Sequence, residues 1–452
     1  MDPLDFLAQV ESNARTYANT FPRMFTSGKG VKVTDSEGRE YIDCLSNAGT
    51  LALGHNHPEV KQAIGRYLDS DQLQQALDLG TPAKYDFVQA IFSLLPRELR
   101  DHGKIHFCGP TGADAVEAAI KLAKHYSGRA NIMAFQGGYH GMTAGALAAM
   151  GNLQPKNHLA LSGVHFLPYP YAFRCPFGTD GTHTDQLSID YIHNVLSDPE
   201  SGVVKPAAMI IEVVQGEGGC IPASVHWLRE VRNITREHDI ALIVDEVQTG
   251  FGRTGRMFAF EHAGITPDIL VLSKAIGGGH PMSVIVYHEK YNSWQPGMHT
   301  GTFRGNQIAM VAGGATMRIV KRDDLAGKAE EKGRLLVAGL RSVAGRFPFL
   351  ADIRGRGLMI GVEVAATDSG RRRDPSDGAL AKLIKKLCFD RGLILETGGR
   401  YGAVLRFLPP LIISDTEIRE VLERFEAAVE DAYAIWVAAD VIERSPSIAE
   451  VI

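Results

Sequence analysis

The chain has few of the features that would mark a secreted, membrane or nucleic-acid-binding protein. Its five cysteines, Cys44, Cys108, Cys175, Cys220 and Cys388, are scattered, odd in number and never in a C-x-x-C pair. That pattern offers neither a disulfide framework nor a structural zinc motif, and it suits a reducing compartment. No block of basic residues occurs and the formal net charge is −5, which argues against a nucleic-acid surface. No apolar run approaches the roughly 20 residues that span a bilayer. The opening MDPLDFLAQV carries acidic residues where a secretory signal needs positive charge, so a cytoplasmic setting is expected. There is no G-x-x-x-x-G-K-[ST], and without it an end-of-strand aspartate has little claim to be the magnesium ligand of an NTPase.

What is present is an ordinary globular composition, 45% hydrophobic and 22% charged over 452 residues. That length exceeds one small core and implies a large unit plus a smaller one. After an opening helix, GVKVTDSEGREYIDCLS reads as two short strands around a turn. From about Gly54 helices alternate with apolar strand candidates: KIHFCG (104–109), NIMAFQ (131–136), AAMIIEVV (207–214), IALIVDEV (240–247) and DILVLSK (268–274). Ala115, Ala118, Ala119 and Leu122 recur at helical spacing between two of them. Such alternation predicts an α/β fold with a mostly parallel sheet covered on both faces. Beyond about residue 325, a helix precedes IRGRGLMIGVEV and GLILETGGRYGAVLRFLPPL, which read as strands of another sheet. The last helix opens on a Ser414/Glu417 capping box and continues with Ile418, Val421, Leu422, Phe425 and Val429. The expected division is residues 1–60 and 326–452 in a smaller α+β domain built from both termini, with 61–325 forming the large one. The polar, turn-rich stretch 366–378 reads as a surface loop.

Three features belong together chemically, since ligands of doubly wound sheets sit beyond the carboxyl ends of the strands. In CGPTGADAVEAAIKLAKHY (108–126) a strand ends in a glycine turn and opens a helix, whose first amides suit a phosphate. In IALIVDEVQTGFGRTG, Asp245 and Glu246 close an apolar strand. In DILVLSKAIGGGHPMSV, Lys274 stands at a strand end, although lysine is among the side chains least often buried. Each alone has a structural explanation: a packing turn, a capping aspartate, a lysine that reaches solvent. In combination they suggest a phosphorylated aldehyde cofactor, held by the lysine as a Schiff base and by the carboxylate through a pyridinium nitrogen. A charge pair near 4 Å at an effective dielectric of about 20 is worth about 4 kcal/mol, or about three pK units. That is enough to keep a pyridine nitrogen protonated.

The segment VDEVQTGFGRTGRMFAFEHAGITPDILVLSKAIGGG resembles the class III, fold type I pyridoxal-phosphate aminotransferases, and the similarity extends from GVKVTDSEGREYIDCLS through LRFLPPL. It implies pyridoxal 5'-phosphate as cofactor, no metal, and a homodimer with shared active sites. It makes Lys274 the Schiff-base lysine and proton shuttle and Asp245 the partner of the pyridine nitrogen. Gln248 corresponds to the residue that meets the phenolic oxygen, and Gly112 and Ala113 to the phosphate-binding amides. Tyr139 corresponds to the aromatic that stacks on the ring, with His140 beside it, and Glu212 to a glutamate behind the cofactor. Thr302 corresponds to the threonine that reaches the neighbouring subunit's phosphate. Arg406 corresponds to the arginine that takes the α-carboxylate of glutamate or 2-oxoglutarate. Glu217 corresponds to the glutamate that covers this arginine when a terminal amine binds. The three glycines after Lys274 are expected to give the cofactor room.

Within the family, LALGHNHPEV, GPTGADAVEAA, QGGYHGMT, VVQGEGG, GTFRGNQIAM and PYPYAFRCPFG are most similar to the branch acting on L-2,4-diaminobutyrate. The implied reaction interconverts diaminobutyrate and 2-oxoglutarate with aspartate 4-semialdehyde and glutamate. Met142 stands where relatives acting on ornithine or 4-aminobutyrate carry arginine, which weakens those alternatives. It also leaves the partner of glutamate's side-chain carboxylate unassigned. Val213 replaces a common proline. Another ω-amino acid aminotransferase, an aminomutase or racemase, and a non-catalytic sensor are the competing readings. The last is disfavoured because a regulator is expected to carry a DNA-binding module before such a domain, and the residues preceding the first family-like segment have no basic character. His55 and His57, in GHNHP, read as a loop beside the active-site entrance rather than metal ligands.

Overall fold

The computed structural model describes residues 2–159, 161–365 and 376–444. Its centre is a seven-stranded sheet in the order Gly103–Phe107, Val284–His288, Ile269–Leu272, Ala241–Asp245, Ala208–Ile211, Ile132–Phe135 and Val164–Leu167. The last five pair in parallel, while Val284–His288 runs antiparallel to both its neighbours. Ile132–Phe135, Ala208–Ile211, Ala241–Asp245 and Ile269–Leu272 are buried at every position. A strand covered on both faces reads as a continuous apolar run rather than an alternating one.

The helix Gly112–Ser127 packs on this sheet through Ala115, Ala118, Ala119 and Leu122. Its start is fixed by Thr111, whose side chain accepts from the Asp114 amide at 3.2 Å. Its end is fixed by Gly128, at φ 69°, a left-handed position where a side chain is disfavoured.

A second, antiparallel sheet runs Leu350–Arg356, Met359–Val364, Val404–Phe407 and Glu396–Gly398. It is flanked by helices Leu325–Ala344, Gly378–Asp390 and Asp415–Arg444. The capping box forms at the last of these: Ser414 N donates to Glu417 Oε2 at 2.7 Å, and Glu417 N donates to Ser414 Oγ at 3.2 Å. The N-terminal strands Phe25–Lys29, Lys32–Asp35 and Glu40–Asp43 form a third sheet. Its fourth strand is Leu393–Ile394, parallel to Glu40–Asp43, so segments from the two ends of the chain share one sheet. A single buried apolar cluster runs from Val31 and Ile42 through Phe135 and Leu242 to Phe407 and Phe425. Of the stretch expected as a surface loop, residues 366–375 lie outside the described residues. No helix among the described residues is long and apolar enough to cross a membrane.

Candidate active site

The carboxyl ends of the parallel strands meet at one cavity of about 530 Å³. Four central segments deliver its polar groups: Asp245 ends its strand, Glu212 and Lys274 follow Ile211 and Leu272 closely, and Tyr139 and His140 lie in the turn after Phe135. The strand Gly103–Phe107 leads into the turn that opens helix Gly112–Ser127, so Gly112 and Ala113 form another wall. Gln248 and Glu217 complete the set.

Asp245 is held firmly. Its Oδ2 lies 2.8 Å from His140 Nδ1, and its Oδ1 accepts the Val247 amide at 3.0 Å. Burial opposes a charged His140, yet the hydrogen bond and charge of Asp245 outweigh it and hold the imidazole above its ordinary 6.5. Glu212 accepts the amides of Tyr139 at 2.8 Å and Gly216 at 3.0 Å. Burial nonetheless pushes its carboxyl up to about 7. Gln248 donates to the Ala48 carbonyl at 3.0 Å, which ties the N-terminal segment to the cavity wall. Glu246 turns away from the cavity into the core, accepting the Thr249 hydroxyl and, at 2.9 Å, the Phe260 amide. The two carboxylates that share a strand end therefore have separate tasks, one facing the cavity and one pinning a turn.

Lys274 lines the cavity with its backbone at φ 48°, a left-handed conformation that costs a non-glycine residue about 1–2 kcal/mol. Strain of this kind persists where the surroundings over-determine it, commonly at functional sites. Desolvation pushes the Lys274 ammonium below its ordinary value, against the pull of Asp245 and Glu212. The shift favours the neutral, nucleophilic amine.

Of the glycines after Lys274, Gly279 lines a smaller pocket beside Lys274, Ser273 and Thr111, and Gly278 has a packing role. Gly277, Gly278 and Gly279 are not among the cavity's lining residues. At Gly278, with φ 59°, a Cβ would come within 2.6 Å of the Ala312 backbone carbon in helix Gln307–Arg322. Gly278 lets the turn after Lys274 lie directly on that helix.

Arg406 and Thr302 also lie off the cavity wall. Arg406, on Val404–Phe407, is 2% exposed and reaches Glu217, whose side chain is 47% exposed, with 2.7 Å between Nη2 and Oε2. Its Nε and Nη1 are buried without a hydrogen-bond partner among the described residues. Burial works against its charge, but Glu217 holds the guanidinium above its ordinary value. Thr302 opens a short turn, Thr302–Gly305, and is exposed. His55 bonds Asp43 at 2.9 Å through its Nε2; among the described residues neither it nor His57 belongs to a cluster that could hold a metal.

Tyr17 is a lining residue that sequence reasoning missed. It belongs to a four-residue helix in a polar segment and carries no motif. Its placement beside Glu217 and Arg406 comes from how the N-terminal segment folds over the cavity. Val247 and Ser273 were also overlooked, although each adjoins a residue that was singled out.

The cavity suits a phosphorylated pyridine aldehyde on its own chemistry. The amides of Gly112 and Ala113 begin a helix and have no intrahelical acceptor, so they and the helix dipole favour an anion. A Cβ on Gly112 would come within 3.0 Å of Val247 Cγ1, so this wall admits a ligand close to the backbone only while it carries no side chain. Asp245 and Lys274 supply a carboxylate and a partly desolvated amine in the same space.

The class-III aminotransferase family model matches residues 12–429, and the chain belongs to that family. It is 52% identical over 432 residues to the diaminobutyrate–2-oxoglutarate aminotransferase of Rhizobium meliloti, with 94% of this chain and 92% of the relative covered. It is 48% identical over 439 residues to the protein of the same name from Haemophilus influenzae, with 96% of each covered. Among solved structures, an amine transaminase from an uncultivated Pseudomonas species, in its PLP-bound form, superposes with a TM-score of 0.84 at 28% identity, covering 94% of this chain and 98% of that one. The ornithine aminotransferase of Toxoplasma gondii gives 0.81 at 26% identity, covering 96% and 94%.

Proposed function

We propose that this aminotransferase uses pyridoxal phosphate to interconvert L-2,4-diaminobutyrate and 2-oxoglutarate with L-aspartate 4-semialdehyde and L-glutamate. The observation that carries the reading is a cavity holding Lys274, Asp245 and the Gly112 helix start, with the Arg406–Glu217 pair at its edge. Identity with two full-length relatives of that name supports the substrate.

Gly112 and Ala113 would hold the cofactor's phosphate, Asp245 its ring nitrogen, Gln248 its phenolic oxygen, and Tyr139 its ring face. When bound, the cofactor supplies the electron sink that amino-group transfer requires. His140 orients Asp245, and Glu212 fixes the Tyr139 turn through its amide. Lys274, its ammonium already destabilised by burial, takes and returns the proton at the carbon that carries the amino group. Arg406 serves the half-reaction with glutamate: its two unpaired nitrogens and fork geometry suit an α-carboxylate once Glu217 moves aside. In the other half-reaction Glu217 stays on Arg406, and the distal amine of diaminobutyrate meets a masked cation.

The exposed position of Thr302, away from its own cavity, supports a homodimer in which it completes the neighbouring site. Five free cysteines support a cytoplasmic setting. The substrate test follows the visible absorbance of the cofactor-loaded protein mixed separately with L-2,4-diaminobutyrate, L-ornithine, 4-aminobutyrate and L-lysine. Conversion by diaminobutyrate alone supports the assignment, and faster conversion by another amine moves it to that substrate. Sedimentation velocity tests the dimer, and a monomer active at full rate would reject the shared site.

A further inference from the structure

His106, Cys108 and His299 each offer one ligand atom, and these atoms all lie within 4.8 Å of one another. His106 and Cys108 come from the end of strand Gly103–Phe107 and its exit, and His299 from the irregular segment before Thr302. We propose that these three side chains form a binding site for a zinc-class transition-metal ion, outside the cavity described above. The site does not depend on the substrate assignment.

Three observations support it. The donor set, two imidazoles and one thiol, is one that zinc favours. The Nε2 of His106 is buried without a hydrogen-bond partner among the described residues, which leaves a lone pair or proton uncompensated in a native interior. A carboxylate stands behind the set: Asp114 Oδ2 lies 3.4 Å from His299 Nε2, the outer partner that metal-bound histidines commonly have. Together with the thiolate formed when Cys108 gives its proton to solvent, Asp114 would balance the charge of a divalent ion.

Bonds of about 2.0–2.3 Å around tetrahedral zinc place ligand atoms about 3.5 Å apart. With all three atoms within 4.8 Å of one another, they need to close by at most about 1.3 Å, and His299 sits on a segment without helix or strand that can supply the movement. A plain packing explanation exists for the imidazoles. His106 lies edge-on to Trp294 at 5.2 Å, and His299 stacks on Trp294 at 5.7 Å. Cys108 likewise packs in an apolar cluster with its thiol 3.8 Å from the His106 carbonyl, but packing leaves His106 Nε2 unpaired.

The position gives the site a consequence. Cys108 is four residues before Gly112 and His299 is three before Thr302, so a bound ion would tie together the two segments that lead to phosphate-binding positions.

The test is metal stoichiometry of the purified holoenzyme after incubation with zinc chloride and gel filtration, measured by elemental analysis. Cobalt substitution is read from ligand-field bands to the red of the cofactor's absorbance. The expected result is about one zinc per chain and tetrahedral cobalt bands, both lost in Cys108→Ala and in His299→Asn. Asp114→Asn should weaken affinity about 10–100-fold. Circular dichroism melts establish that each variant is folded. His193→Asn serves as the control, because His193, Glu237 and His238 form the other such cluster among the described residues. Wild-type protein that retains no zinc, or zinc retained in both Cys108→Ala and His299→Asn, overturns the site. Loss of zinc only in His193→Asn does so too.

Discussion

Arg406 and Glu217 form an asymmetric ion pair: the arginine is 2% exposed, while the glutamate side chain bonded to it at 2.7 Å is 47% exposed. The anchored partner is the cation and the movable one is the anion. Opening the pair would uncover a fixed guanidinium, whereas an exposed arginine swinging off a buried glutamate would carry its charge away from the site.

Arg406→Ala should therefore act on one half-reaction more than the other. Loss of a charge-assisted hydrogen bond costs about 1.5–3 kcal/mol, so kcat/KM for glutamate and 2-oxoglutarate should fall about 10–150-fold. The diaminobutyrate half-reaction should fall far less. Glu217→Gln should leave glutamate turnover largely intact and impair diaminobutyrate. Equal losses in both half-reactions for both variants would reject the switch.

Lys274→Ala should lower turnover by about 10³-fold or more, since it removes both the amine that holds the cofactor and the proton carrier. The visible band of the bound cofactor should shift or vanish as well. Asp245→Asn keeps the shape of the site and removes only the charge. The pairing energy of about three pK units at a ring nitrogen implies a fall of about 10²–10³-fold. Near wild-type rates in either variant would remove that residue from the mechanism.

His140 makes stability depend on pH. Its folded-state value lies above the ordinary 6.5, so its contribution is complete below about 6.5 and is lost as pH rises through the raised value. The stability difference between wild type and His140→Gln should thus be larger at pH 5.5 than at pH 9, read from urea unfolding of the loaded protein. A difference that does not change with pH would show that the imidazole stays neutral beside Asp245.

Gly278→Ala should destabilise the fold without abolishing cofactor binding. A Cβ there would meet the Ala312 backbone at 2.6 Å and require φ 59° of a side-chain residue. Overpacking and left-handed strain together cost about 2–4 kcal/mol. A lower Tm with the cofactor band retained is the expected outcome; unchanged Tm with weakened cofactor affinity would return these glycines to the pocket.

The sequence was most legible where one physical cause dominates. Fully buried strands announce themselves as runs such as ALIVD and ILVL, and helix Gly112–Ser127 by its alanine stripe and the glycine turn before it. Lys274 and Asp245 stood out because a charge at the end of such a run is expensive and needs a reason. Val284–His288 and Val164–Leu167 were missed because short strands beside glycine-rich or polar text give little periodicity. Tyr17 was missed because its place depends on how the N-terminal segment lies over a cavity built more than a hundred residues later. The packing role of Gly278 was not read because sequence shows that a close approach occurs and not which neighbour approaches.

The pairing of Glu40–Asp43 with Leu393–Ile394 also bears on how the chain comes to be made. During synthesis the strand edge at Ile42 leaves the ribosome some 350 residues before the strand that covers it. For that interval an open edge with unpaired amides and carbonyls is exposed, a template for unwanted pairing. The edge is only four residues long and starts on Glu40. Brevity and a charge at the margin are what keep such an edge from recruiting other nascent chains while it waits for its own C-terminal partner.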